Sequence, residues 1–123
     1  MSMAELRYQE LNLMQILDVL RQGGVARLAL SEDGQPYVVP MTFQLEVRRT
    51  QPVLHLASPA AGRKMTILRG NSRVCVEVER PGCAWFDVVL AEGRADLGAV
   101  QEPGVEIRVC PHALSGRRFF LTS

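Results

Sequence analysis

Seven consecutive residues, Ser58-Pro59-Ala60-Ala61-Gly62-Arg63-Lys64, place a hydroxyl, a glycine and two adjacent cations where a strand-like run gives way to a helix-like one. The run before them is Val53-Leu54-His55-Leu56-Ala57. The run after them is Met65-Thr66-Ile67-Leu68-Arg69, stopped by Gly70. A helix start offers N–H donors without intrahelical partners and a partial positive charge. Arginine adds a planar fork and lysine a mobile point charge. Such a set suits capture of a phosphate group. The same residues also fit a plain solvated helix start in which Arg63 and Lys64 are merely adjacent. The residues alone do not select a ligand. Gly62-Arg63-Lys64 lacks the glycine spacing of a Walker loop, and no G-x-G-x-x-G announces a dinucleotide fold.

Other chemistry-bearing residues are sparse. Cys75, Cys83 and Cys110 are odd in number and widely spaced, as free thiols in a reducing compartment would be. Cys110-Pro111-His112 has no second ligand pair at zinc-like spacing, so no metal site is expected. No Ser-His-Asp or Cys-His set suggests hydrolysis, and no catalytic residue can be named. His55 shares a strand face with Ala57 and reads as structural more readily than as chemical. Cys75, in a β-branched strand, reads as a small packing residue. Arg27 reads equally as a solvent-facing strand charge or as a group aimed at an anion. Asp87, amid apolar residues, reads as an exposed carboxylate or one that pairs across a subunit interface.

The elements that must position these residues follow from pattern and punctuation. The chain of 123 residues, 47% hydrophobic and 22% charged, is the size of one globular domain spanning 1–123. A net charge of +1 provides no broad field for nucleic acid or an anionic membrane, so any anion site must be local. No apolar run approaches the roughly 20 residues that cross a bilayer. The polar segment from Met1 to Glu10 has no signal-peptide core, and a cytoplasmic protein is expected.

Leu13, Ile16, Leu17 and Leu20 recur at helical spacing behind an Asn12–Gln15 capping box, and Gly23-Gly24 ends the run. Strands are expected over 25–30 and 36–45, joined through Asp33-Gly34. Pro40 cannot donate to a ladder, so its strand lies at an edge, is bulged, or is open to a ligand there. Residues 46–51 read as a loop, 53–57 as a third strand and 73–79 as a fourth. Residues 85–97 read as a long fifth strand with a bend at Gly93, 98–104 as a loop and 105–110 as a sixth strand. Six antiparallel strands with a leading helix and a short inserted one favour a small barrel, which leaves few free edges.

The order of these segments carries a resemblance. Gly34-Gln35-Pro36-Tyr37-Val38-Val39-Pro40-Met41-Thr42-Phe43, then Leu56-Ala57-Ser58, Gly62-Arg63-Lys64 and Asn71-Ser72-Arg73-Val74-Cys75-Val76-Glu77-Val78, resembles the pyridoxamine 5'-phosphate oxidase-related, FMN-binding split-barrel family. The nitroimidazole-resistance-like branch is the most similar. The similarity runs from about Leu13 to Leu97, and Ser115-Gly116-Arg117-Arg118-Phe119 resembles the family's closing strand. The resemblance implies a six-stranded split barrel and a homodimer with two FMN molecules between its subunits. It implies an oxidoreductase that works with a small-molecule electron donor and acceptor. By the same resemblance Ser58, Arg63 and Lys64 would hold the FMN phosphate, and Ala57 and Gly62 would approach it through backbone. Val38, Val39, Pro40, Met41 and Thr42 would line one edge of the isoalloxazine ring, largely by main chain. Trp85 and residues 89–92 would reach the cofactor of the partner subunit.

Two departures stand out. The segment 98–104 is too short for the helix that often precedes the family's last long strand. Arg117 and Arg118 are the only basic residues near the chain end for a substrate phosphate, which argues against oxidation of pyridoxamine phosphate. A deazaflavin or haem in the same fold, or a non-catalytic carrier or sensor, are the alternatives. His55 and His112 would be the only histidines for haem iron.

Overall fold

The computed structural model describes residues 7–101 and 104–121. Nine elements follow one another: β1 (Arg7–Glu10), α1 (Leu13–Arg21), β2 (Gly24–Glu32), β3 (Gln35–Arg48), β4 (Gln51–Pro59), α2 (Arg63–Gly70), β5 (Arg73–Pro81), β6 (Trp85–Gln101) and β7 (Gly104–Phe120). The strands form one antiparallel sheet in the order β1-β7-β4-β3-β2-β5-β6, and a β6–β7 ladder closes six of them on themselves. This is the expected six-stranded split barrel. The seventh strand, β1, is an addition that pairs Arg7–Glu10 with Phe120–Arg117 on the outer edge of β7. All four of its side chains are exposed, so no buried alternation marked it as a strand.

The first helix is as the sequence predicts. Asn12 accepts from the Gln15 N–H at 2.9 Å, and the Gln15 side chain accepts from the Asn12 N–H at 2.8 Å. Ile16, Leu17, Val19 and Leu20 are buried, and the helix packs on β3, β5 and β6. Beneath it the core is aliphatic: Leu28, Leu54, Leu56, Ile67, Val76, Val89, Ile107 and Val109 are all at most 1% exposed.

Two loops read from the sequence are ladder instead. Residues 46–51 extend β3 and β4 to Arg48↔Gln51, with the reversal made by Arg49 and Thr50 alone. Both have positive φ, 51° and 71°, the geometry of a type I′ turn without its usual Asn-Gly. Residues 98–104 likewise continue β6 and β7 to Gln101↔Gly104, and the intervening Glu102 and Pro103 lie outside the described residues. The sixth strand, expected over 105–110, runs on to Phe120. The bulge between Glu92 and Gly93 takes up an extra residue, His112, and lets β7 run unbroken for 17 residues.

The split lies between β3 and β4. Their ladder runs only from Arg48↔Gln51 to Phe43↔Leu56. Beyond it, Gln35–Thr42 of β3 keeps its ladder to β2, while Ala57–Pro59 of β4 pairs only with β7. The unpartnered edge of β3 carries Pro36 and Pro40. A proline in a ladder with one neighbour must turn its hydrogen-free nitrogen to the other side, so Pro40, opposite Arg27, presents its ring to the open edge. Of the three readings of Pro40, the edge is the one this topology realises.

Candidate functional site

The end of β4 delivers the chain to α2 on the split side of the barrel. Gly62 is the N-cap, with φ 116° and no side-chain hydrogen bond at the cap. Its φ is one that L side chains rarely adopt, and glycine reaches it without strain. The first turn of α2 contains no acidic residue, so its N–H donors remain for an incoming anion. Arg63 is exposed, and its guanidinium lies over the ring of Tyr37 in β3, 4.4 Å from the centroid. That contact holds the cation beside the open edge of β3. Lys64 is half-exposed next to it. At its far end α2 is tied to β2, where the Asn71 amide donates to the Ser31 carbonyl at 3.0 Å.

Ser58 is placed differently from its neighbours in the sequence. It is 4% exposed, and its hydroxyl donates to the Pro59 carbonyl at 2.8 Å. Along β3 the five candidate residues divide by strand alternation. Val38, Pro40 and Thr42 face outward, while Val39 packs on the core and Met41 is buried within it. Val39 and Met41 can therefore meet a ligand only through backbone. Thr42 and Ala57 share an open groove of about 670 Å³ where the two strands part, lined also by Gly24, Gln44, His55 and Glu106.

His55 stands on the wall of that groove between two carboxylates. Its Nε2 meets Glu46 at 2.8 Å, and its Nδ1 meets Glu106. The hydrogen bond to Glu106 leads in pushing the imidazole pKa up; partial burial opposes it and Glu46 adds to the rise. Glu46 in turn is held down at about 2, first by Arg48 at 2.8 Å and then by His55. With both ring nitrogens engaged, His55 has none left for haem iron.

The remaining candidates resolve into structural roles. Arg27 pairs with Glu77 at 3.0 Å and Glu79 at 3.6 Å on the outer face, the strand-charge reading of the two. Burial pushes the Cys75 thiol up, with Glu92 and Glu77 adding to it, which suits a packing residue and not a nucleophile. Val89 and Ala91 are fully buried, so within 89–92 only Leu90 and Glu92 turn outward.

Asp87 is neither exposed nor free for a partner subunit. It is fully buried in a cross-strand row with Arg80 of β5 and Arg118 of β7. Arg118 donates to it at 2.8 Å and Arg80 at 2.9 Å, and Arg80 also reaches Asp18 of α1 at 2.8 Å. Burial raises the Asp87 carboxyl, and the two arginines outweigh it and hold the pKa below its ordinary value. This row takes Arg118 away from any substrate phosphate, and Arg117 lies over Tyr8, 4.6 Å from its ring centroid. Sequence reasoning missed the row because its members meet by register, not by spacing.

Among the described residues no group of three or more His, Cys, Asp or Glu side chains is arranged to hold a metal ion, and no helix is long and apolar enough to cross a membrane.

Against known proteins, residues 13–109 match the family model described as pyridoxamine 5'-phosphate oxidase. No curated protein matches the chain by sequence. Among solved structures, a FAD-binding protein from Mesorhizobium loti is 26% identical, with a TM-score of 0.82 over 93% of this chain and 98% of its own. A FAD binding protein from Mycobacterium smegmatis is 18% identical, with a TM-score of 0.77 over 92% and 99%. A candidate 5-nitroimidazole antibiotic resistance protein from Bacteroides thetaiotaomicron is 15% identical, with a TM-score of 0.79 over 93% and 89%.

Proposed function

Since the chain belongs to the pyridoxamine 5'-phosphate oxidase family, we propose that it binds a flavin, FMN, with the phosphate at the start of α2 and the ring along the open edge of β3. The observation that carries this reading is the juxtaposition of an uncapped, acid-free helix start with an unpaired strand edge, bridged by Arg63 on Tyr37. The residues fit the group. Arg63, Lys64 and the first-turn N–H groups supply donors and positive charge for a phosphate. Gly62 keeps its backbone accessible, and Ser58 joins only by rotating its hydroxyl away from Pro59. The backbone of residues 38–42 offers an unpaired edge to a planar polar ring.

Bound flavin supplies two-electron redox chemistry, and the protein supplies binding, orientation and polar surroundings. Thr42 and Ala57 bring that region to the 670 Å³ groove, where a small electron acceptor has room. We read the chain accordingly as an oxidoreductase for a small-molecule donor and acceptor, acting as a homodimer in the cytoplasm. The outward apolar residues Val25, Val38 and Leu90, between 40% and 60% exposed, are the surface a second copy would cover.

The test is an absorption spectrum of the purified protein after FMN loading and desalting. A retained visible flavin band at one FMN per chain is expected. Its absence, or full retention in the Arg63→Ala, Lys64→Ala double variant, contradicts the site.

A further inference from the structure

A second hollow lies away from α2, where β5, β6 and β7 run side by side. It has a volume of about 340 Å³ and is lined by Arg73, Val74, Glu92, Gly93, Arg94 and His112. Arg73 and Arg94 are directly opposed across the β5–β6 ladder. Like charges in that position repel. Among the described residues neither arginine has a carboxylate within 4.0 Å; the ion pairs present involve Arg27, Arg48, His55, Arg80 and Arg118. Arg94 is nevertheless held in place, since its guanidinium donates to the Ser72 hydroxyl at 3.2 Å.

The bulge brings a third donor. Glu92 faces Ala113 and Gly93 faces Pro111, so His112 is the extra residue on β7, and its exposed side chain joins the rim of the hollow. Gly93 permits this close fit: a Cβ there would stand 2.9 Å from the Cys110 carbonyl oxygen. Glu92 shares the rim without pairing to either arginine.

The geometry points to an anion site for a phosphate group at Arg73, Arg94 and His112. Donors from three neighbouring strands line one hollow. A tetrahedral anion with several oxygens meets all three, whereas a planar carboxylate meets one fork. An anion between Arg73 and Arg94 also removes the repulsion that the fold otherwise carries. The inference stands apart from the flavin reading, because it shares no residue with α2 or with the open edge of β3.

The experiment is a titration of the full chain with inorganic phosphate at constant ionic strength, followed by backbone amide NMR and by thermal melting. Saturable shifts are expected at Val74, Gly93, Arg94 and His112, with a rise in Tm. Arg94→Gln, an exposed substitution that leaves the core intact, should weaken binding at this hollow about tenfold or more. Arg73→Gln should do the same, and Arg63→Ala should leave it unchanged. No saturable shift at the hollow, equal response to acetate, or undiminished binding in both hollow variants would overturn the assignment.

Discussion

Single residues divide here into those that face a ligand and those that hold strands together, and burial decides which. Asp87 is the clearest of the second kind. Removing its carboxylate leaves Arg80 and Arg118 side by side at a buried position, so Asp87→Ala should cost about 3–5 kcal/mol in chemical denaturation. A change under about 1 kcal/mol would mean that the row contributes little. His55 gives a pH signature. Its folded pKa is raised by Glu106 and Glu46 above the ordinary 6.5, so its contribution to stability is fully present below that value. It is lost as pH rises through the higher folded value. Wild-type Tm should therefore fall more than that of His55→Gln as pH is raised above the ordinary imidazole value. Parallel curves would remove His55 from the account.

Neither role was legible in the sequence. His55 lies nine residues from Glu46 but 51 from Glu106, and Asp87 lies 31 from Arg118. Only the ladder registers bring them together. The place of Arg63 and Lys64 at a helix start was legible, because the glycine and the flanking periodicity that mark it are contiguous.

Among the elements, those with strong local signals were read correctly. The α1 capping box, the Asp33-Gly34 turn, the bend at Gly93 and Pro40 on an open edge all rest on residues whose backbone preferences are narrow. The elements misread are those whose local signal opposes the tertiary outcome. Arg49-Thr50 forms a tight turn with two residues that disfavour positive φ, and a β-branched threonine at φ 71° is strained. The β3–β4 ladder on either side imposes it. Replacing the pair by Asn-Gly should therefore raise stability by about 1–3 kcal/mol, read as a higher denaturant midpoint with an unchanged slope. An unchanged or lower midpoint would show that the turn stores no such strain. Cys110-Pro111-His112 hid the length of β7 in a similar way, because a bulge accommodates what a regular strand would not.

For the whole molecule, a small six-stranded barrel was legible from strand number and hairpin order, but not that β6 and β7 close it, and the split was legible in the residues themselves only as a proline inside a strand. The proposed dimer belongs to this scale. Light scattering should give twice the chain mass, and Leu90→Glu, which puts a charge on the outward apolar face, should shift the protein toward the monomer. A wild-type monomer at all concentrations would refute it.

The phosphate cradle is the central claim, and comparing FMN with riboflavin isolates it, since the two differ only in the phosphate. Calorimetric titration should show FMN binding at least about tenfold more tightly than riboflavin, with the difference abolished in Arg63→Ala, Lys64→Ala. Equal affinity of the wild-type protein for the two ligands, or an FMN preference that survives the double substitution, would contradict it.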